Sequence, residues 1–151
     1  MSLRALAAGV VVASALAAAA DVSAQEARRY INPRSASDAT APPFSGAVMV
    51  GNTLYLSGTL GLDPGQGVPA TPEAEARNVL NSIRGTLEAA GMTMDDLVMV
   101  QVSCSDVSYY DAFNSVYRTY FTREFPARAF LGSGALLFGA RFEVLGIAVR
   151  R

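Results

Sequence analysis

Phe125-Pro126-Ala127-Arg128-Ala129-Phe130-Leu131 sets a single guanidinium in an apolar, strand-like run that begins where Pro126 must stop a preceding helix. An Arg in such a run is costly to bury without an anionic partner. The chain has no His, and its 12 basic residues are all Arg. Imidazole proton transfer and lysine Schiff-base chemistry are thereby excluded, so any reaction must use Arg, carboxylates, hydroxyls or backbone amides. From spacing alone, Arg128 is either one half of a structural ion pair or an anion-binding residue. Its planar fork suits a bidentate grip on a carboxylate.

Working outward, residues 141–149 form a last strand, joined to Ala127–Leu131 by a Gly-rich segment. Within it Glu143 is a lone carboxylate among apolar residues. It is either an ion-paired or edge position, or a carboxylate placed to hold water or accept a proton. Upstream, Phe113, Val116, Tyr117, Tyr120 and Phe121 mark the packing face of a helix opened by Ser108-Tyr109-Tyr110-Asp111, a capping-box variant. Leu97–Ser103 reads as a strand with Val98, Val100, Val102 and Cys104 on one face. Thr71-Pro72-Glu73 opens an earlier helix with the stripe Ala76, Val79, Leu80, Ile83 and Leu87, ended by Gly91. Phe44–Val50 and Thr53–Ser57 form a hairpin around Gly51-Asn52, and Tyr30–Pro43 is an extended lead-in. The order β-β-α-β-α-β-β predicts an α+β fold, a mixed sheet with two helices on one face. The other face then needs cover from further subunits.

The ends carry a separate message. Arg4, the uncharged run Ala5–Ala20 and Val22-Ser23-Ala24 read as an export signal over residues 1–24, leaving a single mature domain, 25–151, in the periplasm or secreted, with no membrane segment after cleavage. Twelve basic against 13 acidic residues and no basic run argue against a nucleic-acid partner. Cys104 is the sole cysteine and has no His to activate it, so it reads as a buried small residue. No carboxylate cluster has metal-ligand spacing.

Two further positions remain open on spacing. Ser57-Gly58 is either a bulge or strand end, or a place where backbone N–H groups approach a ligand. Asn114, among apolar helix residues, reads alone as an exposed or capping amide. Taken together, Leu56-Ser57-Gly58, Asn114-Ser115-Val116-Tyr117, Phe125-Pro126-Ala127-Arg128-Ala129 and Glu143 with Ile147-Ala148-Val149 resemble the RidA/YjgF family of reactive-intermediate imine deaminases, over about Pro42 to Arg150. The resemblance implies a chorismate-mutase-like fold and a homotrimer with pockets between subunits. It also implies cofactor-free hydrolysis of 2-imino or enamine acids to 2-oxo acids and ammonia. In that scheme Arg128 clamps the substrate carboxylate and Glu143 orients water, while Ser57, the Gly58 backbone and Asn114 line the pocket. The chain departs from the family pattern at Phe44 (usually Tyr), Phe130 (often Cys), Gly132 (often Glu) and Leu136-Leu137-Phe138 (usually Leu-Pro-Lys), so the resemblance implies a more apolar pocket in which Phe44 and Phe130 meet the substrate. Two other activities compete with this one: a non-catalytic trimeric protein that binds small carboxylates, and an endoribonuclease, which the absent His and Lys disfavour.

Overall fold

A computed structural model of the chain describes residues 27–151. The segment read as an export signal lies outside the described residues. Six strands, β1 (Arg29–Ile31), β2 (Ala47–Val50), β3 (Thr53–Leu60), β4 (Leu97–Cys104), β5 (Ala127–Gly132) and β6 (Phe142–Val149), form one sheet in the order β1-β2-β3-β6-β4-β5. Only β4 and β5 run parallel. Helices α1 (Pro72–Ala89) and α2 (Tyr110–Tyr117) join one hydrophobic cluster with the inward residues of the sheet. The expected mixed sheet with two helices on one face is what forms.

The elements follow local chemistry. Thr71 Oγ1 accepts the Ala74 N–H at 3.2 Å, and Pro72 takes the first helical turn of α1, where no N–H is needed. All five residues of the apolar stripe are buried. Gly91, at φ 75°, closes the helix, with Met92 N–H reaching back to Leu87 O at 2.9 Å. In α2, Phe113 is fully buried and tilts against Phe142 of β6 at 4.9 Å, a contact that adds to the roughly 1.5–3 kcal/mol from burying such a ring.

Four expectations need correction. Tyr30 and Ile31, the start of the supposed lead-in, belong with Arg29 to a short edge strand paired with β2; three residues with one buried side chain are too few for alternation to register. Val98 is 47% exposed rather than facing inward with Val100, because a register shift between Leu97 and Met99 turns Leu97 inward instead. The cap before α2 is Asp106, whose carboxylate accepts from Ser108 N–H at 2.8 Å, because a 3₁₀ turn over Val107–Tyr109 precedes the helix. β3 runs on to Leu60, and Ser57-Gly58 falls in an irregularity of its pairing with β6 between Leu56 and Thr59.

One buried charge organises the start of β6. Glu75, in the first turns of α1, is 0% exposed. Its carboxylate accepts from Arg141 N–H at 2.6 Å, Phe142 N–H at 3.0 Å and the Arg141 guanidinium at 2.9 Å. Gly61 gives it room: a Cβ there would collide with the Glu75 backbone. The sheet strand that carries Glu143 is thus bolted to α1 two residues earlier. Glu75→Ala strands the Arg141 charge and two backbone donors. The expected loss is about 3–5 kcal/mol of stability, with a smaller loss for Glu75→Gln. Urea midpoints at constant m-value measure it. A loss in the alanine variant below ~1 kcal/mol contradicts the assignment.

Candidate active site

Side chains alternate across a sheet, so register decides which residues can meet. Arg128 pairs with Val100 and Phe130 with Val102, both buried beneath the helices. Glu143 lies between the inward residues Phe142 and Val144 and pairs with Ser103, on the opposite, uncovered face. Val100 pairs in turn with Gly146, so Arg128 and Glu143 are also offset by three residues, or roughly 10 Å along the strands. They form no ion pair with each other, and the described ion pairs are Arg84–Glu88, Arg141–Glu75 and Arg151–Asp96. The structural Arg128–Glu143 pair is therefore not what either residue is for within one copy.

Each belongs to its own cleft. The first, of about 180 Å³, is lined by Asn114, Tyr117, Arg118, Phe125, Pro126 and Arg128. The Arg128 guanidinium lies over the Tyr117 ring, 4.6 Å from its centroid, with the Tyr110 and Phe130 rings at 5.9 and 5.8 Å. Cation–π contact holds the planar group without consuming its N–H donors. Those donors meet no carboxylate or carbonyl among the described residues. Asn114 is buried, 9% exposed, rather than an exposed or capping amide, and its side chain likewise makes no described hydrogen bond. The Tyr117 hydroxyl is buried and partnerless as well. Burial pushes its pKa up to about 12, with Arg128 opposing, so it stays a neutral donor at ordinary pH. The Tyr117 hydroxyl is the one buried orphan among the described side chains, and the Arg128 and Asn114 donors open into the same cleft, which is thereby equipped to receive a polar ligand.

The second cleft, of about 690 Å³, includes Phe44, Ser57, Gly58, Leu137, Phe138 and Glu143. The β3 irregularity turns Ser57 and Gly58 beside Glu143. The Ser57 hydroxyl donates to Ser45 O at 2.6 Å, which fixes the loop before β2. A Cβ on Gly58 would collide with Glu143 Oε1, so only glycine lets that carboxylate lie against the backbone. Glu143 makes no described ion pair or side-chain hydrogen bond, leaving both oxygens available.

Of the residues singled out from sequence, Arg128 and Asn114 share the first cleft, and Phe44, Ser57, Gly58 and Glu143 share the second. Phe130 lines neither; it packs edge-on against Tyr110 at 5.1 Å and Phe113 at 5.7 Å, and its ring flanks Arg128. Tyr117 reads from sequence only as a packing residue, and Leu137 and Phe138 only as a departure from the family pattern, not as site residues. For Tyr117 the signal lay in its hydroxyl: a tyrosine on a packing face must bury that group or find it a partner.

Comparison with known proteins places these features in a lineage. The family model described as Endoribonuclease L-PSP matches residues 35–150. A 2-iminobutanoate/2-iminopropanoate deaminase from Capra hircus is 42% identical over 125 residues, covering 82% of this chain and 90% of the relative. The Homo sapiens protein of the same description is 36% identical over 125 residues, with the same coverage of 82% and 90%. Among solved structures, RidA from an Antarctic Psychrobacter superposes with a TM-score of 0.70 at 34% identity, covering 80% of this chain and 99% of that one. The Escherichia coli YjgF product does so at 0.68 and 33%, covering 72% and 89%. By sequence and by fold, the chain belongs to the RidA/YjgF family.

Proposed function

We propose that the protein is an imine hydrolase that converts 2-imino acids, and the enamines in equilibrium with them, to 2-oxo acids and ammonia, in sites that two copies build together. The observation that carries this reading is the pair of incomplete clefts: a free guanidinium with an amide donor on one face, and a free carboxylate on the other. The deaminase activity in the names of its relatives supplies the reaction class. Exposed apolar residues on the uncovered sheet face, Tyr55 and Val98 among them, favour burial against further copies, and the resemblance to the family supports three of them in a homotrimer. The signal read at residues 1–24 would place this chemistry in the periplasm or outside the cell.

The chemistry asks little of the protein, because a protonated imine carbon is already electrophilic. Arg128 holds the substrate carboxylate in a bidentate pair, with the Asn114 amide as a further donor. Glu143 of the neighbouring copy accepts a proton from water as the oxygen bonds to C2, giving a tetrahedral carbinolamine. That proton passes to nitrogen, the C–N bond breaks with its electron pair leaving on nitrogen, and the hydroxyl proton follows as the carbonyl forms. Iminium and water thus become 2-oxo acid and ammonium. Positioning and electrostatics carry the rate.

Imines generated by an amino-acid oxidase, with ammonia release as readout, test the reading. Arg128→Ala is expected to lower kcat/KM about 100-fold or more, mostly through KM, and Glu143→Gln about 100-fold through kcat. Wild-type rates in Arg128→Ala overturn the site. Gly58→Ala, which pushes the Glu143 carboxylate aside, is expected to cost about tenfold or more in kcat while circular dichroism stays native. Full activity in that variant contradicts the close approach of backbone and carboxylate.

A further inference from the structure

The Glu143 cleft is more apolar than hydrolysis requires. Beside Glu143 it is walled by Pro43, Phe44, Leu60, Leu137 and Phe138. Phe44 is 56% exposed and Phe138 77%, so neither ring is held there by burial within one copy. Phe138 is strained as well. Its backbone sits at φ 58°, ψ 19°, in the left-handed region that disfavours any residue with a Cβ. Gly139 follows it at φ 74°, so the turn presents the ring outward at the lip of the cleft. A strained, solvent-facing aromatic beside a free carboxylate is the kind of backbone outlier that marks a binding site.

We propose that this wall is the side-chain subsite of the enzyme, that its substrates are 2-imino acids with large apolar or aromatic side chains, and that Phe138 is a specificity-determining residue. The proposal rests on the imine-hydrolase reading above. The imine carbon carries three groups: carboxylate, nitrogen and side chain. With the carboxylate on Arg128 and the carbon facing water at Glu143, nitrogen and side chain remain, and of these the apolar wall suits the side chain rather than the charged nitrogen. No Arg lines this cleft, and Glu143 repels a second carboxylate, so acidic side chains are disfavoured. A methyl group reaches little of the apolar wall, whereas a benzyl or isobutyl group covers Phe44, Leu137 and Phe138. This differs from the small imino acids in the names of the relatives.

The test is a ratio, which a partly unfolded preparation leaves intact. The kcat/KM for imines made from Phe and Leu, divided by that for the imine made from Ala, is expected to exceed about tenfold in the wild type. Phe138→Gly, which the positive φ tolerates, is expected to lower that ratio about tenfold, and Leu137→Ala to lower it less. Binding of phenylpyruvate and pyruvate, stable 2-oxo acid products, is measured in parallel by calorimetry. If no imine is hydrolysed, the catalytic reading fails, and a Phe138-dependent preference for phenylpyruvate still upholds the wall. If imines are hydrolysed with a ratio near one, or with a ratio that Phe138→Gly leaves unchanged, the wall proposal fails while the catalytic reading stands. If Phe138→Gly dissociates the oligomer and the ratio is unchanged, Phe138 is a subunit contact and the proposal is overturned.

Discussion

The period-two alternation of a β-strand governs this molecule. It turns Arg128 toward the helices and Glu143 toward the bare face of the same sheet, three residues apart in register with β4 between them. One guanidinium and one carboxylate, each with free hydrogen-bonding capacity, are thus kept from neutralising each other. A structural ion pair would have silenced both. Separation leaves two polar clefts and an exposed apolar sheet surface, the arrangement that the proposed site shared across subunits needs.

Each half is held by a different force. On the helix side, the guanidinium is oriented by aromatic faces, chiefly Tyr117, which attract the cation without occupying its N–H groups. On the open side, position comes from backbone geometry. Glu75 accepts three hydrogen bonds at the start of β6, and the β3 irregularity sets Gly58 against the Glu143 carboxylate. Buried Glu75 costs desolvation, offset by its three donors and by the rigidity it gives the strand two residues before Glu143. The same helix that covers the core therefore also fixes the strand that carries Glu143.

Much of this was legible in the chain itself. The caps and stripe of α1 are local, and local signals survive folding; Thr71, Pro72 and Gly91 act as their chemistry dictates. Arg128 and Glu143 stand out because a charge in an apolar strand is an anomaly at the level of sequence. What was hidden is non-local. No spacing rule pairs Glu75 with Arg141, 66 residues away. The bulge that turns Val98 outward depends on the β6 register, not on the valines. Asn114 reads as a surface amide until β5 is laid beside α2. The opposite facing of Arg128 and Glu143 needs the pairing of three strands, which neither strand alone encodes.

The claim that two copies share one site is tested most directly by subunit complementation. Arg128→Ala and Glu143→Ala proteins, each impaired alone, are unfolded, mixed in equal amounts and refolded together. Across the random mixture of trimers roughly a quarter of the interfaces join an intact Arg128 to an intact Glu143, so imine hydrolysis is expected to return to about a quarter of the wild-type rate. A mixture that forms hybrid oligomers of native size yet stays as inactive as either variant alone would contradict the account.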